Sequence, residues 1–226
     1  MNLNKIKYFI YSFFLTNRYG IKLQNILDPV EKKRVRLEYS RKLLSKLNIH
    51  INIKNKERIP LDGQYLIFSN HRSIIDPLAI DILLKDSTIF GLWVAKKELY
   101  NSIFFGKAVR NGGCIQLDRE GNNTKTFFSD IKNGLNQGSS ICIFPEGTRN
   151  KTQKNLLKFK NGVRIIAMKN KLPLLPIYIE SNTSEILQQA LYDTSKKREV
   201  SIIIGDTITY SDKNDLEIIY RNMFGI

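Results

Sequence analysis

Apolar residues recur along this chain in two rhythms. In the first, Ile6, Phe9, Ile10 and Phe13 return at the i, i+3, i+4 and i+7 spacing of one helix face, and Gly20 offers that helix a place to stop. A second helix is expected after Asp28-Pro29, which suit a cap and a first turn, and Val35, Tyr39, Leu43 and Leu47 then form an apolar stripe at four-residue spacing. From Ile49 the rhythm changes. Short β-branched runs at Ile49–Ile53, Tyr65–Ser69, Thr88–Val94, Cys114–Leu117, Ile141–Phe144, Leu174–Ile179 and Val200–Ile204 alternate with helical stretches. Those helices are expected near Pro77–Leu84, Phe104–Arg110, Asn123–Gln137, Gly162–Lys169, Ser184–Leu191 and Leu216–Phe224. The expected architecture is α/β: a single domain over 49–226 with a mixed, largely central sheet flanked by helices, preceded by a two-helix element over 1–48. No repeat, low-complexity tract or interdomain linker interrupts it.

Charge changes the reading of the first element. Lys and Arg number 36 against 21 Asp and Glu, a formal +15 that favours anionic partners. Residues 1–50 hold eleven of those cations and only three acids, and Lys32, Lys33, Arg34, Arg36, Arg41, Lys42 and Lys46 surround the apolar stripe of the second helix. Such a pair of helices can lie in a membrane interface, with Phe and Ile in the acyl boundary and cations toward anionic headgroups. The same residues also suit a helical hairpin packed on the domain with a solvated basic face. The apolar run Ile6–Leu15 is shorter than the roughly 20 residues that span a bilayer, and Thr16-Asn17-Arg18-Tyr19 supplies no small-residue cleavage site, so the segment is kept in the mature protein. Cys114 and Cys142 lie in apolar runs outside any CxxC or metal-ligand spacing and read as reduced core thiols. No nucleic-acid-binding motif accompanies the basic charge.

Candidate chemistry gathers at strand ends. After Tyr65–Ser69 comes Asn70-His71, and Asp76 follows before Pro77 opens a helix. A turn that folds the Asp76 carboxylate back onto the imidazole would hold one ring nitrogen as N–H and leave the other to take a proton from a substrate hydroxyl. Alternatively, Asp76 caps the helix and His71 is a loop residue bonded to backbone. A second cluster, Phe144-Pro-Glu-Gly-Thr-Arg149, combines a tight turn with a guanidinium fork suited to phosphate oxygens, and it can equally be an ordinary surface turn. A third, Gly112 to Arg119, ends a strand in Asp118-Arg119, where Arg119 is either a phosphate ligand or the partner of Asp118.

Taken in order, Asn70-His71 with Asp76, Gly113 with Leu117-Asp118-Arg119, Phe144-Pro-Glu-Gly-Thr-Arg149 and Leu175-Pro176-Ile177 resemble the four motifs of the glycerolipid acyltransferases, specifically the bacterial 1-acylglycerol-3-phosphate acyltransferases. Val94-Ala-Lys-Lys-Glu-Leu99 and Phe159-Lys-Asn-Gly162 look like that family too, as does the basic two-helix start. The resemblance implies direct transfer of a fatty acyl chain, without an acyl-enzyme, from an acyl thioester to the free hydroxyl of lysophosphatidic acid. His71 would be the base and Asp76 its orienting partner. Glu146, Gly147, Thr148 and Arg149 would hold the glycerol phosphate, Arg119 with Lys96 or Lys97 would neutralise it, and Pro176 would shape the acyl-donor side. It implies no metal and no resident cofactor, with acyl-CoA or an acidic acyl-carrier protein as donor substrate. The expected place is the cytoplasmic face of the cell membrane, on an anionic surface, with no nucleic acid involved. Gln116, Asn150 and Asn161 depart from the usual pattern.

Overall fold

The two rhythms resolve, in a computed structural model that describes residues 3–118 and 124–226, into helices and strands close to those expected. In chain order they are α1 (Leu3–Lys22), α2 (Pro29–Lys46), β1 (Ile49–Lys54), β2 (Leu66–Ser69), α3 (Asp76–Leu83), β3 (Gly91–Lys96), α4 (Lys97–Tyr100), α5 (Gly106–Asn111) and β4 (Ile115–Leu117). The second half runs α6 (Thr124–Asn136), β5 (Ser140–Ile143), α7 (Gly162–Asn170), β6 (Leu174–Ile179), α8 (Thr183–Tyr192), β7 (Arg198–Ile204) and α9 (Leu216–Phe224).

The strands form one seven-stranded sheet in the order β1-β7-β6-β2-β5-β3-β4, parallel throughout except between β6 and β7. Burial explains the sequence of each strand. Every residue of β2 and β6 is buried, because helices cover both faces at the centre, whereas edge strand β1 alternates. One face carries a core built from Ile67, Leu175 and Ile177 with Leu43 and Leu44 of α2, Ile80 of α3 and Ala190 of α8. On the other, Leu66, Phe68 and Leu174 meet Ile131 of α6, Ile166 of α7 and Tyr220 of α9.

The N-terminal helices differ from expectation in two respects. First, α1 runs through Gly20 to Lys22. Gly20 serves packing: a Cβ there would sit 2.7 Å from the backbone nitrogen of Ala108, so its absence lets α1 close on α5. Second, two of the seven cations around the α2 stripe turn inward. Arg36 is buried, pairs with Asp81 of α3 and donates to the Gly91 carbonyl at 2.7 Å, while Lys33 donates to the Leu84 carbonyl at 2.8 Å. These bonds anchor α2 to the C-terminal end of α3 and the start of β3, because each buried donor must find an acceptor. At the other end, Asp28 caps α2 as expected, accepting from the amides of Val30 and Glu31. Both cysteines are free, and burial pushes the Cys114 thiol up to about 11 and that of Cys142 higher still, so both stay neutral.

Candidate active site

Because β2, β5 and β6 are parallel neighbours, the loops that leave their carboxyl ends converge. The β2 loop brings His71, the β5 loop brings Phe144 to Arg149, and the start of α8, beyond β6, brings Thr183. His71 Nδ1 lies 2.7 Å from Asp76 Oδ2. A carboxylate can only accept, so the ring proton is on Nδ1 and Nε2 is left with its lone pair.

Asp76 opens α3, yet its carboxylate turns back from the helix. Oδ2 also accepts the amides of Arg72 and Ser73, each at 2.7 Å, and Oδ1 accepts the Thr183 hydroxyl at 2.6 Å. The side chain is fully buried, whereas that of His71 keeps 16% of its surface exposed. A helix cap would direct Asp76 at the first amides of α3; here four donors fix it as a rigid support for the imidazole instead. The ring is also held flat, since it stacks on Phe144 at 3.9 Å with 7° between planes, and Phe144 stacks in turn on Trp93 of β3 at 4.8 Å. Trp93 Nε1 is buried without a hydrogen-bond partner among the described residues.

Glu146 is placed differently from the three residues after it. It is buried, with Oε1 accepting the His71 amide at 2.7 Å and Oε2 the Leu157 amide at 3.0 Å. Burial raises its carboxyl to about 7 against the opposing pull of those two amides. Two further ties bind the same loops: the Asn150 amide donates to the His71 carbonyl at 2.6 Å, and Arg72 donates to the carbonyls of Thr152 and Lys154. Asn150, one of the departures from the family pattern, also uses its side chain on Thr152 and Lys154. Gly147 takes φ +69°, a conformation that favours glycine, and turns the chain so that Thr148 and Arg149 emerge exposed.

The remaining site candidates lie around this centre. Lys96 ends β3, and Lys97 is ion-paired with Asp118 at 2.8 Å. Arg119 lies outside the described residues. Pro176 is buried in mid-strand β6, paired in register with Phe68 and packed over Gly205. Asn70 continues the sheet beyond β2, its side chain bonding both ways to Ile179 while Tyr220 of α9 bonds the Ile177 carbonyl. Thr183, Tyr220, Trp93 and Phe144 as a stacking partner escaped the sequence reading, since each comes from a distant element and only Phe144 lies within a motif. Among the described residues no cluster of three or more His, Cys, Asp or Glu suits a metal ion.

A buried carboxylate orienting a partly exposed histidine at the carboxyl ends of parallel strands is a frame for proton transfer. The chain belongs to the acyltransferase family: the Acyltransferase family model matches residues 50–180, more than half of its length. The 1-acyl-sn-glycerol-3-phosphate acyltransferase of Helicobacter pylori is 36% identical over 118 residues, 52% of this chain and 48% of that one. The Bacillus subtilis protein of the same name is 27% identical over 171 residues, 76% of this chain and 80% of its own. The chain thus spans about half the length of the first relative and most of the second. Its fold resembles the crystal structure of the 1-acyl-sn-glycerophosphate acyltransferase PlsC from Thermotoga maritima, with a TM-score of 0.67 at 20% identity over 99% of this chain and 91% of that one.

Proposed function

We propose that this protein transfers a fatty acyl group from an acyl thioester to the sn-2 hydroxyl of 1-acylglycerol-3-phosphate, giving phosphatidic acid. The observation that carries the reading is the His71–Asp76 pair, a general base with a fixed tautomer and no nucleophile of its own within the pair. In the step, Nε2 takes the lysolipid hydroxyl proton as its oxygen bonds to the thioester carbonyl carbon. The carbon–sulfur bond then breaks, and the departing thiolate takes the proton from the imidazolium. Asp76 stabilises that imidazolium without itself changing protonation.

Gly147, Thr148 and Arg149 hold the glycerol phosphate, with Arg119, Lys96 and Lys97 adding positive charge. Glu146 supports them from behind by bracing the two loops, and Pro176 acts through the backbone of β6. The indole N–H of Trp93, without a partner among the described residues, is a donor available to a substrate oxygen. The donor is acyl-CoA or an acyl-carrier protein, and no resident cofactor takes part. Attachment is to the cytoplasmic surface of the cell membrane through α1, whose Leu3, Ile10, Phe14 and Ile21 are exposed in a row; no helix among the described residues is long and apolar enough to cross a bilayer.

The test is acyl transfer from a long-chain thioester, presented on CoA and on carrier protein, to lysophosphatidic acid, lysophosphatidylcholine or glycerol-3-phosphate, in wild type and His71→Ala. Transfer to lysophosphatidic acid that disappears in the variant supports the reading. A preference for another acceptor moves the substrate, and activity indifferent to His71→Ala removes the mechanism.

A further inference from the structure

Between α1 and α2 the protein leaves an open groove of about 840 Å3, lined among others by Tyr8, Tyr11, Arg18, Arg41, Lys42 and Lys46. Four cations therefore converge on one concavity. The carboxylate at its edge, Glu38, is already shared by Lys22 at 2.7 Å, Lys42 at 3.1 Å and the Tyr19 hydroxyl at 2.7 Å. Arg18, Arg41 and Lys46 make no ion pair among the described residues, and Lys46 instead lies over the Tyr11 ring at 5.7 Å. Like charges gathered this way repel unless an anion joins them.

The neighbouring surface says which anion. On α1 the exposed apolar row of Leu3, Ile10, Phe14 and Ile21 is 83%, 49%, 66% and 55% accessible. At about 100° per residue, Arg18 and Tyr11 lie roughly 60–80° around the helix from the centre of that row. A phosphate seated in the groove thus has an apolar ridge beside it, the layout of a lipid with its headgroup at the water boundary. A free phosphate has no use for the ridge, whereas a lipid uses the cations and the ridge together, headgroup on one and acyl tails on the other.

We propose that the groove is a discrete site for the phosphate headgroup of an anionic bilayer phospholipid, whose acyl tails lie along Ile10 and Phe14. This goes beyond general attraction of a basic helix pair to a charged surface, and it stands independently of the acyl-transfer reading. The site selects a headgroup; diffuse attraction counts charges only.

The two are separated by removing equal charge inside and outside the groove. Binding to phosphatidylcholine vesicles, with and without phosphatidylglycerol, is compared for wild type, Arg18→Gln/Arg41→Gln and Lys5→Gln/Lys32→Gln. Each double variant removes one cation from each helix, and neither Lys5 nor Lys32 lines the groove. Diffuse attraction costs about fivefold in binding per cation wherever it lies near the surface, so both variants would fall alike. The proposal expects the groove variant to bind phosphatidylglycerol vesicles about tenfold more weakly than the control, with unaltered melting temperatures and no difference on pure phosphatidylcholine. Equal losses overturn it. So does a groove variant that binds vesicles as wild type does but accepts acyl chains poorly from an acidic carrier protein alone, since that makes the carrier the occupant. Should the groove variant fail to fold, Lys46→Gln against Lys32→Gln makes the same comparison.

Discussion

Asp76→Asn is the sharpest perturbation of the proposed base, because the local hydrogen bonds determine how the new amide must sit. In a serine-hydrolase-like triad the same change can reverse the imidazole tautomer, at a cost of about 10⁴ in rate. Here Oδ2 faces three donors, the His71 ring N–H and the amides of Arg72 and Ser73, whereas Oδ1 faces only the Thr183 hydroxyl. Asparagine must therefore keep its oxygen on the three-donor side, and its NH2 then points at Thr183, whose hydroxyl can turn and accept. The tautomer survives and only the charge is lost. A hydrogen bond to a charged group contributes about 1.5–3 kcal/mol against about 1 for a neutral one, a difference of about 0.5–2 kcal/mol, so kcat/KM should drop roughly twofold to thirtyfold. Asp76→Ala, by contrast, takes the acceptor from all four donors at about 1–3 kcal/mol each and should fail by unfolding. The assay follows thiol release on acyl transfer to lysophosphatidic acid, with 15N spectra of the imidazole reporting the tautomer. A loss near 10⁴ with a reversed tautomer would refute the claim that the two backbone amides orient this residue.

Three other outcomes follow from the same geometry. Replacing Glu146 with Ala strands the amides of His71 and Leu157 and should lower stability by about 2–6 kcal/mol, seen as a shifted denaturant midpoint. Because the Glu146 carboxyl is raised to about 7, the folded state binds more protons than the unfolded chain between the ordinary carboxylate value and about 7; stability should fall as pH rises through that window, and Glu146→Gln should remove that part of the slope. Phe144→Leu removes the ring stacked on His71 and should reduce kcat by up to about tenfold with little change in KM, while Phe144→Tyr stays near wild type; equal losses in both would discount the stack. At Gly20, alanine favours the helix by up to about 1 kcal/mol but puts a Cβ 2.7 Å from the Ala108 backbone nitrogen, an overpacking that costs about 1–3 kcal/mol, so the melting temperature should fall; a rise would show that α1 is free to shift.

Much of the fold was legible because burial leaves its period in the sequence. The apolar runs of β2 and β6 marked strands, which the structure buries on both faces, and all seven strands lie close to the expected positions. His71, Asp76 and the Pro145-Glu146-Gly147 turn were likewise visible, since residues near one another in sequence and placed at a strand end must share a loop. What the sequence could not order was contact between distant segments. That Gly20 admits α5 rather than ending α1, that Arg36 turns inward to Asp81, and that Thr183 completes the support of Asp76 all depend on which elements become neighbours. The same holds for Glu146, whose type suits a ligand for glycerol phosphate but whose surroundings make it a brace between two loops. Residue type and spacing determined which groups this protein has available; the sheet order, by setting β2 between β5 and β6, decided which of them meet.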